Sequence, residues 1–433
     1  MLRYQESLPT DYLVDTASVD RIGLFTSKLA QVSFFLYLFF AFFGTSMPFQ
    51  EQTRNVEDIT TSNAVNQFVF SLLYLLSFIG LLSKRHLIIR FLKTEKFLSL
   101  LLLWSFLSVF WSDFPFVSLK RWIQIFGTSV IFLSALLHFR SDDEALRYFK
   151  VILMAYIPLT FLAILLIPGA IQWEFPALRG LAPHKNMLGQ VSLVSLIVWS
   201  FAAKVPSLRK KIAALLFWGL SFVLLVGSKS TTSILTAGGL LLLGGLWYTG
   251  EIFLRPTVGR TLSSVVLLLF LVILFSIAYV GSDIVASLFH FFGKDMTLTG
   301  RIDLWAAVFE ETKKHLLFGC GFGGFWIADS PAMDTILEEF VWLPNQSHLG
   351  YLDILNETGV VGISLLALMM VSYFKNLLNF EGTHFWKWFV IAALIANISE
   401  STLFRPNELT GELLILSYLA LYVQAIRSKG GFP

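Results

Sequence analysis

The chain alternates long apolar runs with short polar breaks along almost its whole length. Apolar stretches cover about 28–47, 64–82, 97–111, 121–138, 149–168, 187–203, 212–228, 231–248, 261–280, 351–374, 386–402 and 411–426. A helix needs roughly 20 apolar residues to cross the hydrocarbon core of a bilayer, and most of these runs approach that length. No water reaches the backbone there, so each run must bond its own amide groups, which a helix does. The pattern predicts an all-α integral membrane protein with about twelve transmembrane helices. The third and seventh runs are short, which fits a tilted helix or one sheltered by protein.

Lysine and arginine in the breaks set the orientation. With the N-terminus inside, the inner segments hold 21 of the 32 basic residues, including Lys84, Arg85, Arg90, Lys93, Lys96, Arg209, Lys210 and Lys211. Removing one helix from the count would invert every later break and spoil this bias. The expected layout is a cytoplasmic N-terminal segment at 1–27, nine helices over 28–280 and an extracytoplasmic loop at 281–350. Three helices over 351–426 and a cytoplasmic tail at 427–433 complete it. The N-terminal segment is polar and mixed in charge, so no cleavable signal is expected.

The long loop is itself patterned. Ile302, Trp305, Phe309, Thr312 and Leu316 recur at steps of three or four, which predicts an amphipathic helix lying on the membrane surface. Ser330 and Pro331 read as the N-cap and first residue of a second short helix. Between them, Gly319-Cys320-Gly321-Phe322-Gly323-Gly324 matches a dinucleotide-binding pattern, but no strand precedes it, so we read it as a tight turn where backbone approaches backbone.

Composition narrows the class. Hydrophobic residues make up 56% of the chain and charged ones 14%, against about 25% charged in soluble domains. A net charge of +3 gives no reason to expect a nucleic-acid partner. The one cysteine, Cys320, excludes an internal disulfide.

Four polar clusters fall on the outer side of the expected bundle. They are Arg179 with His184-Lys185-Asn186, then Ser228-Lys229-Ser230-Thr231-Thr232, then Thr299-Gly300-Arg301 followed by Asp303 and Trp305, and finally Asn345-Gln346-Ser347-His348. Each has a plain structural alternative. Lys229 can snorkel at a hairpin turn, Lys185 can face lipid headgroups, and His348 can be a satisfied structural histidine. Yet a charge at a bilayer centre costs about 2.5–3.5 kcal/mol on insertion scales, and Lys229 interrupts a continuous apolar stretch. Arg301 opens a helix, where a cation is slightly unfavourable, whereas its guanidinium can fork two bonds onto a phosphate. Together the clusters suggest an outward-facing basic pocket with one imidazole. Such a pocket suits an anionic lipid diphosphate, whose departure the cations favour, and a hydroxyl acceptor, whose proton the imidazole takes. The outer loops hold no Asp-x-Asp pair and no set with metal spacing, so a metal-independent site without a cofactor is expected. Glu310 and Glu311 are adjacent on a helix and point apart, which argues against a hydrolase pair.

The ordered motifs resemble the O-antigen ligase and polymerase superfamily of bacterial surface-polysaccharide assembly over roughly 97–405. They are Trp111-Ser112-Asp113 with Ser118-Leu119-Lys120-Arg121, His184-Lys185-Asn186-x-x-Gly189, Ser228-Lys229-Ser230-Thr231, Thr299-Gly300-Arg301-x-x-x-Trp305, the Gly319–Trp326 segment, and His348-x-x-Tyr351-Leu352-x-x-x-Asn356-Glu357-x-Gly359-x-x-Gly362. The resemblance implies a glycosyltransferase of the bacterial inner membrane with its active site on the periplasmic side and both termini cytoplasmic. Its donor would be a polyprenyl-diphosphate-linked oligosaccharide, bound through Lys229 and Arg301 with help from Arg179 or Lys185, and His348 would be the base. His184, Asn186, Asn345 and Trp305 are supporting candidates. Two positions depart from the family pattern: Lys229 stands where arginine is frequent, and Leu349 follows the histidine where asparagine is frequent, leaving Asn345 as the candidate for that amide. The acceptor would be a second lipid-linked glycan in a polymerase or the lipid A core in a ligase. The His-Lys-Asn and Tyr-Leu-Asp segments look most like exopolysaccharide polymerases. The rival from another class is a transporter of lipid-linked sugar, which would show paired broken helices or repeated halves; no internal repeat is evident.

Overall fold

The structure, a computed structural model, describes residues 16–44, 63–172, 176–204, 207–253, 299–327, 330–339, 344–379 and 385–428. Their helices are α1 (Thr16–Phe43), α2 (Ala64–Leu82), α3 (Arg85–Thr94), α4 (Phe97–Leu107), α5 (Pro115–His138), α6 (Asp142–Leu166) and α7 (Lys185–Ala202). There follow α8 (Leu208–Gly227), α9 (Thr231–Phe253), α10 (Thr299–Lys313), α11 (Pro331–Glu339), α12 (Gly350–Asn379), α13 (Trp386–Ala396) and α14 (Leu409–Ser428). A two-residue ribbon pairs β1 (Ile171–Gln172) with β2 (Ala177–Leu178) in antiparallel register, Ile171 opposite Leu178.

Seven of these helices contain a stretch long and apolar enough to cross a membrane, in α1, α2, α5, α6, α8, α12 and α14. Shorter apolar helices lie at Phe97–Phe110, Thr231–Gly245 and Trp386–Ala396. The protein is therefore an all-α, multi-pass membrane protein. The expected ninth span at 261–280 and the first part of the loop, 281–298, lie outside the described residues. So do 1–15 of the N-terminal segment and 429–433 of the tail. Helix α1 begins at Thr16, well before the expected span.

Local chemistry explains the helix starts. Asn63 caps α2 by accepting from the amides of Val65 (2.9 Å) and Asn66 (3.4 Å). Pro115 sits in the first turn of α5, and Asp142, Asp143 and Glu144 crowd the first turn of α6, where the helix dipole favours acids. Helix α14 is the hub, with 94% of its spanning window buried; α3, α5, α7, α12 and α13 pack on it. The abundant phenylalanine divides between two environments. Phe34 lies deep and meets Phe132, Phe139 and Tyr148 edge to face, while Phe68 is exposed on the outer belt expected to face lipid.

The loop helix α10 buries only part of the stripe the periodicity predicts, keeping Thr312 and adding residues outside it. Leu304, Val308 and Thr312 are buried, whereas Phe309 and Leu316 are exposed. The buried stripe packs on Phe325, Trp326, Met333 and Ile336, so α10 leans on its own loop and on α12. The N-cap reading at α11 holds, since the amide of Met333 donates to Ser330 Oγ at 3.1 Å.

The glycine turn is held by a break in α12. At Gly359, φ is +68° and the helix is interrupted. The carbonyls of Asn356 and Glu357 accept from the amides of Cys320 (3.0 Å) and Gly321 (3.1 Å), and the amides of Val360 and Val361 donate to Leu316 and Leu317. Broken helix at membrane depth is tolerated where protein satisfies the freed groups, as the loop does here. Gly319, Gly321 and Gly323 all have positive φ, and a Cβ on each would collide with Glu357, Ser112 and Arg121 respectively. The motif pieces scattered along the chain thus pack on one another. Ser112 and Ser118 bond through their hydroxyls at 2.7 Å, Phe322 N donates to Ser108 Oγ at 2.9 Å, and Trp111 Nε1 donates to Gly319 O at 3.2 Å.

Candidate functional site

The starts of α7, α9, α10 and α12 converge on the connection between α13 and α14. Asn397 shapes that connection: its side-chain oxygen accepts from the amides of Thr402 (2.8 Å) and Leu403 (3.0 Å), and its amide nitrogen donates to Thr402 Oγ1 at 2.8 Å. The turn so formed presents Ser399 and Glu400. Gly350 N, at the start of α12, donates to the carbonyls of both Asn397 and Glu400 at 3.0 Å. A Cβ at Gly350 would strike Asn397 Oδ1, so only glycine lets the two segments meet this closely.

Glu400 is 7% exposed and collects polar groups from three other segments. Its Oε1 accepts from Asn186 Nδ2 of α7 at 3.2 Å and from the Thr232 hydroxyl of α9 at 3.4 Å. Its Oε2 lies 3.5 Å from His348 Nδ1. Thr232 also bonds the Ser399 hydroxyl at 2.9 Å, and Arg301 Nη1 donates to the Ser399 carbonyl at 3.1 Å. Burial pulls the Arg301 guanidinium below its ordinary pKa, while the charge of Glu400 supports its protonated form.

His348 is itself constrained. Its φ is +56°, a left-handed conformation that costs a non-glycine residue roughly 1–3 kcal/mol and persists only when neighbours enforce it. Ser347 supplies that enforcement. Its amide donates to Asp353 (3.3 Å), its carbonyl accepts from Trp305 Nε1 (2.8 Å), and its hydroxyl accepts from Leu349 N (3.0 Å). Trp305 therefore braces the histidine segment and does not reach Glu400 through any described contact.

A second contact fixes the imidazole's state. Arg405 Nη1 donates to Gln346 Oε1 at 2.9 Å, which turns the amide nitrogen of Gln346 toward His348 Nδ1, 3.0 Å away. With Nδ1 accepting from Gln346, the neutral ring carries its proton on Nε2. Glu400 competes for the same nitrogen, because Nδ1–H would donate to the carboxylate. The side-chain amide described beside the histidine is that of Gln346, and the described contact of Asn345 is its backbone carbonyl, which accepts from Arg405 Nη2 at 2.9 Å.

The remaining candidates occupy distinct places. Lys229 is exposed at the head of the α8–α9 turn with φ +49°. That turn is one side of a tightly packed polar seam lined by Asn186, Gln190, Ser230, Thr232, Ser233 and Glu400. Arg179 braces the loop before α7, donating from Nε to Gly169 O and from Nη1 to Pro183 O (3.2 Å). His184 is the N-cap of α7, accepting from Met187 N at 3.3 Å, and Lys185 is the helix's first residue. The structure therefore brings Asn186, Arg301, His348 and the turn bearing Lys229 to one centre. Arg179 and His184 hold the entrance to α7 through bonds with backbone groups, and Lys185 opens the helix there.

The O-antigen ligase family profile matches residues 214–367. The exopolysaccharide production protein ExoQ of Rhizobium meliloti (strain 1021) is 28% identical over 281 residues, which is 62% of this chain and 62% of that relative's own length. The chain resembles the O-antigen ligase and polymerase superfamily. The matched stretch of the O-antigen ligase family contains Lys229, Arg301, Trp305, Asn345 and His348. It stops short of Ser399 and Glu400, the residues on which the centre is built. Glu400 is the residue that sequence reading missed. The signal was present: Asn397-Ile398-Ser399-Glu400-Ser401 puts a carboxylate at the end of an apolar run, the same anomaly that singled out Lys229.

Proposed function

We propose that this chain is a membrane glycosyltransferase that moves glycan from a polyprenyl-diphosphate donor to a sugar hydroxyl, extending a surface polysaccharide. The observation that carries this reading is the meeting of Arg301, Asn186, Thr232 and His348 around Ser399–Glu400. Arg301 and Lys229 grip the donor diphosphate on the extracytoplasmic side, Arg301 through a fork that lysine lacks. His348 reacts as the tautomer protonated on Nδ1, which faces Glu400 and forms when Nε2 gives its proton to water and Nδ1 takes one from water; its free Nε2 then accepts the proton of the attacking hydroxyl. The acceptor oxygen bonds to the anomeric carbon as the bond from that carbon to the diphosphate oxygen breaks. Polyprenyl diphosphate leaves with the electron pair, and Glu400 offsets the new imidazolium charge. One displacement inverts the anomeric configuration. The step uses no metal, so a chelator leaves the rate unchanged.

Polymerisation is favoured over ligation by the likeness to a protein named for exopolysaccharide production; the O-antigen ligase profile supports ligation to the lipid A core as the second reading. Deleting the gene separates them. Loss of a polymerase leaves single repeat units on the carrier lipid, and loss of a ligase leaves long chains there. If neither product accumulates, both readings fail. Purified His348→Ala should insert and melt like the wild type yet transfer no glycan; polymer formation by that variant removes His348 from the mechanism. A transporter would show no transfer in the purified wild type.

A further inference from the structure

Next to the Glu400 centre lies an open cavity of about 550 Å³, formed by the start of α5, the glycine turn and the segment leading into α14. This volume falls within the range of roughly 300–1,000 Å³ typical of small-ligand sites. The lining is mixed. Lys120, Arg121 and Arg405 bring cations, and Glu357 and Glu408 bring carboxylates. Gln124 and Asn407 add groups that both donate and accept, and Phe116 offers an apolar ring that is 89% exposed.

These groups discriminate between occupants. A phosphate has no donor to offer the Glu357 and Glu408 carboxyl oxygens, and a lipid tail would bury polar groups without partners. A ligand rich in hydroxyls, each able to donate to a carboxylate and accept from a guanidinium, satisfies both signs, and the apolar face of a sugar ring stacks on a phenyl ring. The cavity is also wired to the histidine. Arg405, which lines it, holds Gln346 Oε1 at 2.9 Å, and Gln346 holds His348 Nδ1 at 3.0 Å. A ligand that draws Arg405 toward itself releases Gln346. Nε2 can then pass its proton to water while Nδ1 takes one up and donates it to Glu400, 3.5 Å away, which leaves Nε2 free to accept a proton.

We infer that this cavity binds the terminal sugars of the acceptor glycan, and that Arg405 and Gln346 convey their arrival to His348. The inference rests on the glycosyltransferase reading above for the identity of the glycan.

The test uses the full chain in lipid nanodiscs. The probe is the lipid-linked glycan extracted from a strain lacking this gene, together with the same glycan freed of its lipid by mild acid. The freed glycan should bind the wild type. Phe116→Ala and Gln124→Ala, at an exposed and a half-buried position, should each weaken binding about tenfold, equivalent to roughly 1.4 kcal/mol, and Arg405→Ala should weaken it further. Gln346→Ala should bind the freed glycan normally but change kcat, whereas the cavity variants should raise KM for acceptor. The inference is overturned if the wild type does not bind the freed glycan, or if all three cavity variants bind it normally. It is also overturned if inorganic pyrophosphate displaces the glycan and depends on Arg405, which would mark a diphosphate site. Binding at the cavity without any transfer would sink the glycosyltransferase reading and leave the saccharide site standing. Normal transfer with indifferent cavity variants would sink the inference alone.

Discussion

Glu400→Gln tests the centre most directly, because it keeps the side chain's shape and removes its charge. One amide oxygen can still accept from Asn186 and Thr232, whose donors lie 3.2 and 3.4 Å from Oε1. What is lost is the attraction between the carboxylate and the imidazolium that forms as His348 takes the proton, with the nearest atoms 3.5 Å apart. Unit charges about 4 Å apart attract by about 4 kcal/mol at an effective dielectric constant near 20 and by about 1 kcal/mol in bulk water. Glu400 is buried and His348 is partly so, so the higher value is the better guide. The amide dipole recovers part of it, leaving about 3 kcal/mol. That corresponds to a fall in kcat of about two orders of magnitude. KM for the donor should move by only a small factor, because Arg301 bonds to the Ser399 carbonyl and keeps that bond. The assay is single-turnover transfer by purified protein in liposomes, with products separated by chain length and a thermal melt of each sample as the control for folding. A melt close to wild type with kcat reduced by less than about threefold would refute the electrostatic role given to Glu400, since that is under 1 kcal/mol.

Arg301→Lys keeps the charge but loses the fork, so donor binding should weaken by about tenfold, one charge-assisted bond's worth; unchanged affinity for the lipid-linked donor would contradict bidentate capture. Gly359→Ala should strongly lower the melting temperature and the yield of folded protein, because φ there is +68° and a Cβ would collide with the Leu317 carbonyl, which is backbone and cannot give way; a melt within a degree or two of wild type would show that the break in α12 is not needed. Burial raises the Glu408 carboxyl from 4.5 to about 7, against the nearby Arg405, which lowers it. The folded state then holds a proton that the unfolded state has released, so stability is greatest below about pH 4.5 and is lost as the pH rises through about 7, by an amount on the order of 1–3 kcal/mol. Melting curves of wild type and Glu408→Gln between pH 5 and 8 should converge at the acid end and separate at the alkaline end, and parallel curves would refute the assignment.

Much of the architecture was legible in one dimension. Spans such as 64–82 can be read from the sequence because a bilayer imposes a length and a polarity on any segment that crosses it, and α2 begins and ends at those residues. The glycine turn was legible for a local reason: backbone can approach backbone closely only where a Cβ is missing. The face of α10 was not. Its apolar positions allow two stripes, and the choice fell to the loop residues Phe325, Trp326, Met333 and Ile336 that pack against Leu304 and Val308.

The candidate site divides along the same line. The residue types that can bind a diphosphate or take a proton, Lys229, Arg301 and His348, stand out in the sequence because charge and imidazole are costly beside apolar runs. Their geometry does not follow from that cost. Asn186, Thr232, Arg301 and His348 come from segments far apart in the chain, and their meeting at Glu400 depends on how helices pack around α14. The same packing sets Arg405 against Gln346 and so selects which nitrogen of His348 carries the proton. Periodicity and solvation act along the chain and can be read from it, whereas a hydrogen bond needs two groups within about 3 Å, a relation that only the folded body supplies.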